Sequence, residues 1–199
     1  MSSYGRANKI AAPKFWLPYS ELIAANSAED FMQSFYQRFV DTAARYPDNI
    51  AVELQRTTPA SDSSASSTSS ATDVSYTYAE LRQVADHLGA WLQGAGVPAG
   101  AKCAILAANS PRWVAAYLAV MAAGCIAVPL DTAFKADQVA KLLKDCGASI
   151  LFVDAAHAEP GKAAWSLMNV DPASAVRVFV IDSDADSRLP NLDQVLSER

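Results

Sequence analysis

The chain has 199 residues and a formal net charge of −5 at neutral pH, with 51% of its positions hydrophobic and 19% charged. That length predicts one domain, or a domain and a piece of another, able to bury roughly 70% of its unfolded surface without staples. The acidic balance argues against a nucleic-acid backbone as the main partner, and three cysteines in apolar or helix-end contexts fit a reducing compartment better than a disulfide framework.

Residues 1–26 are mixed and turn-prone, with Pro13 and Pro18, and read as an extended arm. Phe15, Trp16 and Leu17 there read as docking contacts. No continuous apolar segment marks a signal peptide, so the expected location is cytoplasmic. Ser27 followed by Asp30 resembles a capping box opening a helix. Phe31, Phe35 and Phe39, with Val40 and Ala43, predict its apolar face, and Tyr46-Pro47-Asp48 its end.

Residues 50–55 read as a strand. Residues 57–73 hold no apolar side chain larger than Ala or Pro, and Ser fills seven of positions 61–70. Such a segment offers nothing to offset the entropy of ordering, which predicts a flexible loop. Residues 74–76 read as the returning strand. Thr77 and Glu80 then form a full capping box for a helix over 77–95, with Leu81, Val84, Ala85, Leu88 and Leu92 as its apolar face. His87 reads as a solvated residue of that helix. Gly94, Gly96 and Gly100 leave a helix and lead into a strand over 102–107. A dinucleotide fingerprint does the reverse, following a strand and opening a helix, so these glycines are not one.

The best-marked stretch is 109–131. Ser110 is an N-cap, Pro111 occupies the first helical position and Gly124 the stop. Residues 125–130 come next as a short apolar run, expected to be a strand covered on both faces. Residues 113–130 carry no charge and approach the roughly 20 residues of a membrane span. They are mostly Ala, are broken by Gly124 and Pro129, and have no flanking basic cluster, so a buried helix plus strand is the better reading.

A helix over 136–146 is next, with Val139, Leu142 and Leu143 inward, Gly147 as its stop and Lys135, Lys141 and Lys144 as surface. Then come a strand over 149–153, a short helix over 163–168, a strand over 176–181, an acidic turn with Asp182, Asp184 and Asp186, and a last helical turn over 191–198. This alternation predicts an α/β fold with a mostly parallel, helix-flanked sheet. No ligand spacing of His and Cys, no nucleophile elbow and no phosphate-binding glycine loop is present, so no catalytic, cofactor-binding or metal-ligating residue is assigned.

Two stretches carry the reading further. One is Thr77-Tyr78-Ala79-Glu80-Leu81. The other is Met121-Ala122-Ala123-Gly124, followed by Val128-Pro129-Leu130-Asp131. In order and spacing they resemble the first two core motifs of the adenylate-forming superfamily, which contains acyl-CoA synthetases, peptide-synthetase adenylation domains and luciferases. The helix and strand of AKLLKDCGASILFVD are similar to the family's helix and strand after the second motif. The resemblance spans about residues 27–154. Two positions depart: Ala122 stands where the motif has Lys, and Gly100-Ala101 where a Gly-Asp pair is common.

The resemblance implies the N-terminal subdomain of an acyl-CoA-synthetase-like fold over 27–199. It implies a parent enzyme, an acid–thiol ligase similar to bacterial long-chain fatty acid–CoA ligases, that joins a fatty acid to CoA with ATP and Mg²⁺. The family's phosphate loop, its ribose-binding Asp and its C-terminal lysine are not in this sequence. The chain is therefore expected to be inactive alone, with the rest of the synthetase, or another copy of itself through exposed surface, as partner. The alternative is a non-catalytic α/β module that binds a nucleotide, CoA or a protein.

Overall fold

The computed structural model describes residues 28–54, 75–168, 178–182 and 189–197, with side chains in the first helix from Phe35 onward. The arm, Ser27, the Ser-rich segment, Asp184 and Asp186 lie outside the described residues, and Asp30 and Phe31 are described in backbone only. The elements are α1 (Ala28–Arg45), β1 (Ile50–Glu53), β2 (Ser75–Thr77), α2 (Tyr78–Gly94), β3 (Lys102–Leu106), α3 (Pro111–Ala122), β4 (Ile126–Pro129), α4 (Ala136–Cys146), β5 (Ala148–Val153), a 3-10 turn (Ala155–His157), α5 (Ala158–Ser166), β6 (Val178–Val180) and α6 (Leu192–Ser197). β1 and β2 pair antiparallel, and the other four strands form a parallel sheet in the order β4-β3-β5-β6. The α/β fold read from the sequence is the fold observed.

Strand alternation assigns the two faces of the sheet. Cys103, Ile105, Ile150, Phe152, Phe179 and Ile181 meet α2, α3 and α6 on one face. Ala104, Leu106, Leu151, Val153, Val178 and Val180 meet α4 and α5 on the other. The chain crosses from β3 to β4 over the first face, then returns past β3 to β5 and on to β6 over the second. A reversal of direction that goes with a change of face keeps one crossover hand throughout.

Local chemistry sets the ends of the helices. At α2 the Thr77 hydroxyl accepts from Glu80 N at 3.2 Å, and Thr77 N donates to the Glu80 carboxylate at 2.8 Å. The Thr77 amide, and then the Thr77 hydroxyl, which also donates to the carboxylate at 3.0 Å, hold the Glu80 carboxyl below its usual range. At α3 the Ser110 hydroxyl accepts from Trp113 N at 3.1 Å behind Pro111. Gly147, at φ 66°, ends α4 in the left-handed region that its missing Cβ permits.

Five expectations need correction. Phe35 is 48% exposed, and α1 instead presents Tyr36, Phe39 and Ala43 inward. A stripe repeating every four residues drifts about 40° per step around a 3.6-residue helix, so it cannot hold one face. Leu142 is only half-buried, and Ala140 joins Val139 and Leu143 inside. His87 is half-buried, and its Nδ1 is buried without a hydrogen-bond partner among the described residues. Among the described residues β4 is an edge strand, with Ile126 39% exposed. Ile126 N and Leu130 N bond to β3, so the nitrogen of Pro129 faces outward, where a missing donor costs nothing.

The fifth is α5, which begins at Ala158 and not at Ala163. Pro160 lies in its first turn, where no intrahelical N–H is needed. Gly161 lets the helix lie against β5: a Cβ there would stand 2.8 Å from Val153 Cγ1. Valine is stiff and Val153 is fully buried, so the clash has no easy relief. Gly161→Ala is expected to destabilise the chain by about 1–3 kcal/mol despite alanine's better helix propensity. Urea denaturation would show this as a lower midpoint; an unchanged or higher midpoint would contradict the close approach.

Candidate functional site

In an open parallel sheet, ligands gather at the carboxyl ends of the strands where the strand order reverses. Here the chain moves from β3 to one side and later to the other, so the switch point lies between β3 and β5. Asp154, the first residue after β5, sits there with only 7% exposure. One carboxylate oxygen accepts from Ala108 N, just past β3, at 2.7 Å. The other accepts from His157 N at 2.8 Å and bonds the His157 ring at Nδ1. One side chain thus ties two strand ends together and caps the 3-10 turn.

Further ties surround it. Asp182, after β6, accepts from Ala155 N at 3.0 Å. Asp131, after β4, accepts from Ala133 N at 2.9 Å. Arg112, in the first turn of α3, donates to the Ile181 carbonyl and to the Asp193 carboxylate of α6, each at 3.0 Å. A guanidinium at a helix N-terminus opposes the helix dipole, and these two charge-assisted bonds offset that cost.

With its proton on Nδ1, His157 donates to Asp154 and keeps a lone pair on Nε2. Among the described residues no nucleophile joins that ring. The Ser110 hydroxyl serves as an N-cap, the Asp154, Asp131 and Asp182 carboxylates are each engaged by a backbone amide, and Asp193 is engaged by Arg112. Among the described residues no three His, Cys, Asp or Glu side chains converge to hold a metal. The donor set here does not fit Mg²⁺ or a nucleotide triphosphate, and no chemical step is derived through either. The cluster ties the ends of β3, β5 and β6 into one rim, while the Asp131 bond stays within the loop after β4.

The sequence reading placed no residue in this rim. Its signal was Asp154 closing an apolar run with His157 three positions on. The bonds that matter span 46 residues (Asp154 to Ala108) and 81 residues (Arg112 to Asp193), beyond any local pattern. The two quoted motifs serve as structure. Thr77 and Glu80 cap α2, and Leu81 is buried under it. Gly124, at φ 71°, turns the chain from α3 into β4, and Val128 to Asp131 carry it out to the rim.

The family model for AMP-binding enzymes matches residues 39–198. The chain belongs to the AMP-binding enzyme family. A subunit of linear gramicidin synthase from Brevibacillus parabrevis is 37% identical over 112 residues, which are 56% of this chain and 1% of that protein. Long chain acyl-CoA synthetase 4 of Arabidopsis thaliana is 38% identical over 78 residues, 39% of this chain and 12% of that protein. Among solved structures, coronafacic acid ligase of Pectobacterium brasiliense has a TM-score of 0.63 at 17% identity, over 82% of this chain and 29% of that one. O-succinylbenzoate coenzyme A synthetase of Bacillus subtilis, in complex with AMP, has a TM-score of 0.55 at 22% identity, over 81% and 32%. Structural likeness at identities this low shows the fold alone. This AMP-binding domain spans only a small part of each of these relatives. Among its described residues no helix is long and apolar enough to cross a membrane.

Proposed function

We propose that the chain is the amino-terminal part of an ATP-dependent acyl-CoA synthetase that makes acyl-CoA, AMP and pyrophosphate from a long-chain fatty acid, ATP and CoA in the cytoplasm. The observation that supports this best is the family match over 39–198, with both motifs in the structural roles the resemblance implies, beside an acyl-CoA synthetase among the relatives. In this reading a carboxylate attacks the α-phosphate of ATP, and the CoA thiol then displaces AMP. The phosphate loop, Mg²⁺ site and mobile lysine lie in the remainder of the synthetase, and residues 1–199 alone do no adenylation.

A second reading is favoured by the peptide synthetases among the relatives, several at 37–38% identity: an adenylation domain that activates an amino acid. Acid-dependent exchange of labelled pyrophosphate into ATP by the product of the complete reading frame separates the two. Exchange with fatty acids, and conversion to acyl-CoA when CoA is added, is the expected result. Exchange with amino acids alone would replace the first reading with the second. Exchange by residues 1–199 alone would contradict their proposed inactivity.

The remainder of the synthetase is also the proposed partner of the exposed apolar surface. Among the described residues β4 is an edge strand, and Ile50 (59% exposed), Leu54 (42%), Phe35 and Tyr46 are further exposed apolar side chains. Residues 1–199 by themselves are expected to self-associate as concentration rises and to bind a hydrophobic dye. A monodisperse monomer in sedimentation, without dye binding, would count against the fragment reading.

A further inference from the structure

We propose that α1 is a latched strap: the bond between Tyr36 and Asp86 holds it against α2, and release of that bond lets the helix swing off about the turn at 46–49 while the parallel sheet stays folded. α1 lies on α2 and α3 but is seated shallowly. Of its described side chains, from Phe35 onward, only Ala43 is buried; Tyr36, Phe39 and Val40 are partly buried, and Phe35 is exposed. By contrast α2 buries six residues and α3 seven. An element with so few buried apolar contacts lies at the low end of local stability, where opening needs no global unfolding.

The latch is a single short bond. The Tyr36 hydroxyl donates to Asp86 Oδ1 of α2 at 2.6 Å, and Arg82 Nε, one turn before Asp86, stands 3.5 Å from the other carboxylate oxygen. Burial, and then the Asp86 carboxylate, push the Tyr36 hydroxyl well above its usual range, so it remains a donor. The Asp86 side chain is half-exposed, so water can take the place of the phenol, and Arg82 keeps the carboxylate paired when the phenol leaves. Release therefore strands no buried charge, as a reversible latch requires.

The turn that follows α1 is fixed for a separate reason. Tyr78 N donates to the Asn49 carbonyl at 2.9 Å, and Ala79 N donates to the Pro47 carbonyl at 3.0 Å. These are the first two amides of α2, which have no acceptor within their own helix. Lifting the turn would leave both without a partner, so it stays down and serves as the pivot. Between pivot and latch, the ring contact that crosses from α1 to α2 is Phe39 with Tyr78, tilted, with centroids 6.3 Å apart. Tyr36 packs beside Phe39 on α1 itself, at 5.9 Å, so losing the hydroxyl leaves that contact in place.

The test is residue-resolved amide hydrogen exchange on the unsubstituted chain and on Tyr36→Phe, which keeps the ring and removes the hydroxyl. In the unsubstituted chain the α1 amides of residues 39–45 are expected to share one level of protection, below that of β3 and β5. In Tyr36→Phe they are expected to exchange about three- to tenfold faster together, while the amides of Tyr78, Ala79, β3 and β5 keep their rates. Unchanged α1 rates in that variant would overturn the latch. Faster exchange at Tyr78 and Ala79 along with α1 would overturn the pivot, and equal acceleration in the sheet would overturn independent opening. Protection of α1 equal to that of the sheet in the unsubstituted chain would overturn the strap, and this comparison decides the matter even where the variant fails to fold.

Discussion

Phe179→Ala is expected to destabilise the chain by about 3–5 kcal/mol, the largest loss from any single truncation in the sheet. Phe179 is the middle residue of a three-residue strand and is fully buried. Its ring meets Phe152 of β5 edge-on, with centroids 5.3 Å apart, and Trp91 of α2 at 4.6 Å. It is therefore a link between the sheet and the helix layer over it. Truncation removes the transfer energy of the ring and two aromatic contacts worth about 0.5–1.5 kcal/mol each. It also leaves a cavity between β5 and α2 that neither can close without moving. Urea denaturation followed by tryptophan fluorescence measures the loss, with Trp91 as a local reporter. A loss below about 1 kcal/mol, typical of an average substitution, would mean that β6 is not part of the cooperative core.

Asp154→Ala ranks second, at about 2–4 kcal/mol, for a different reason. It removes no large apolar surface. It strips the hydrogen-bond acceptor from three donors at once, Ala108 N, His157 N and the His157 ring, at a carboxylate that is itself nearly buried. Each amide left without an acceptor bears its own desolvation cost, so the loss exceeds that of one surface bond. Asp154→Asn keeps one acceptor oxygen and should retain part of the stability. Hydrogen exchange gives the sharper readout: the Ala108 and His157 amides should exchange faster in Asp154→Ala, while the β3–β4 ladder amide of Ile126 stays protected. Equal acceleration everywhere would point to global loosening and against a local tie at the switch point.

Local signals were legible in the sequence and long-range ones were not. Thr77 with Glu80, Ser110 with Pro111, and Gly147 each act within a few residues, and all three cap or stop helices as read. The helix read over 163–168 begins five residues earlier, with Pro160 and Gly161 inside it. Here one sits where no donor is needed, and the other where Val153 of a distant strand leaves no room for a Cβ. The run 125–130 could not reveal that it lies at an edge, because strand order comes from crossovers and not from apolar content. Asp154 and Arg112 escaped notice since their partners are set by the sheet's topology. The apolar clusters followed from alternation alone, because each face of a strand keeps its period of two.

These features make residues 39–198 a scaffold of the AMP-binding enzyme family: capped helices, a four-stranded sheet and a tied rim; in the function we propose, the chemistry is carried by sequence beyond residue 199. The most direct measurement is to read the coding frame past codon 199. The account predicts that it continues into a Thr/Ser/Gly-rich loop ending in Pro-Lys-Gly, with the remainder of the synthetase after it. A stop codon there, or a frame without that loop, would contradict the synthetase reading and leave the AMP-binding fold without its proposed activity.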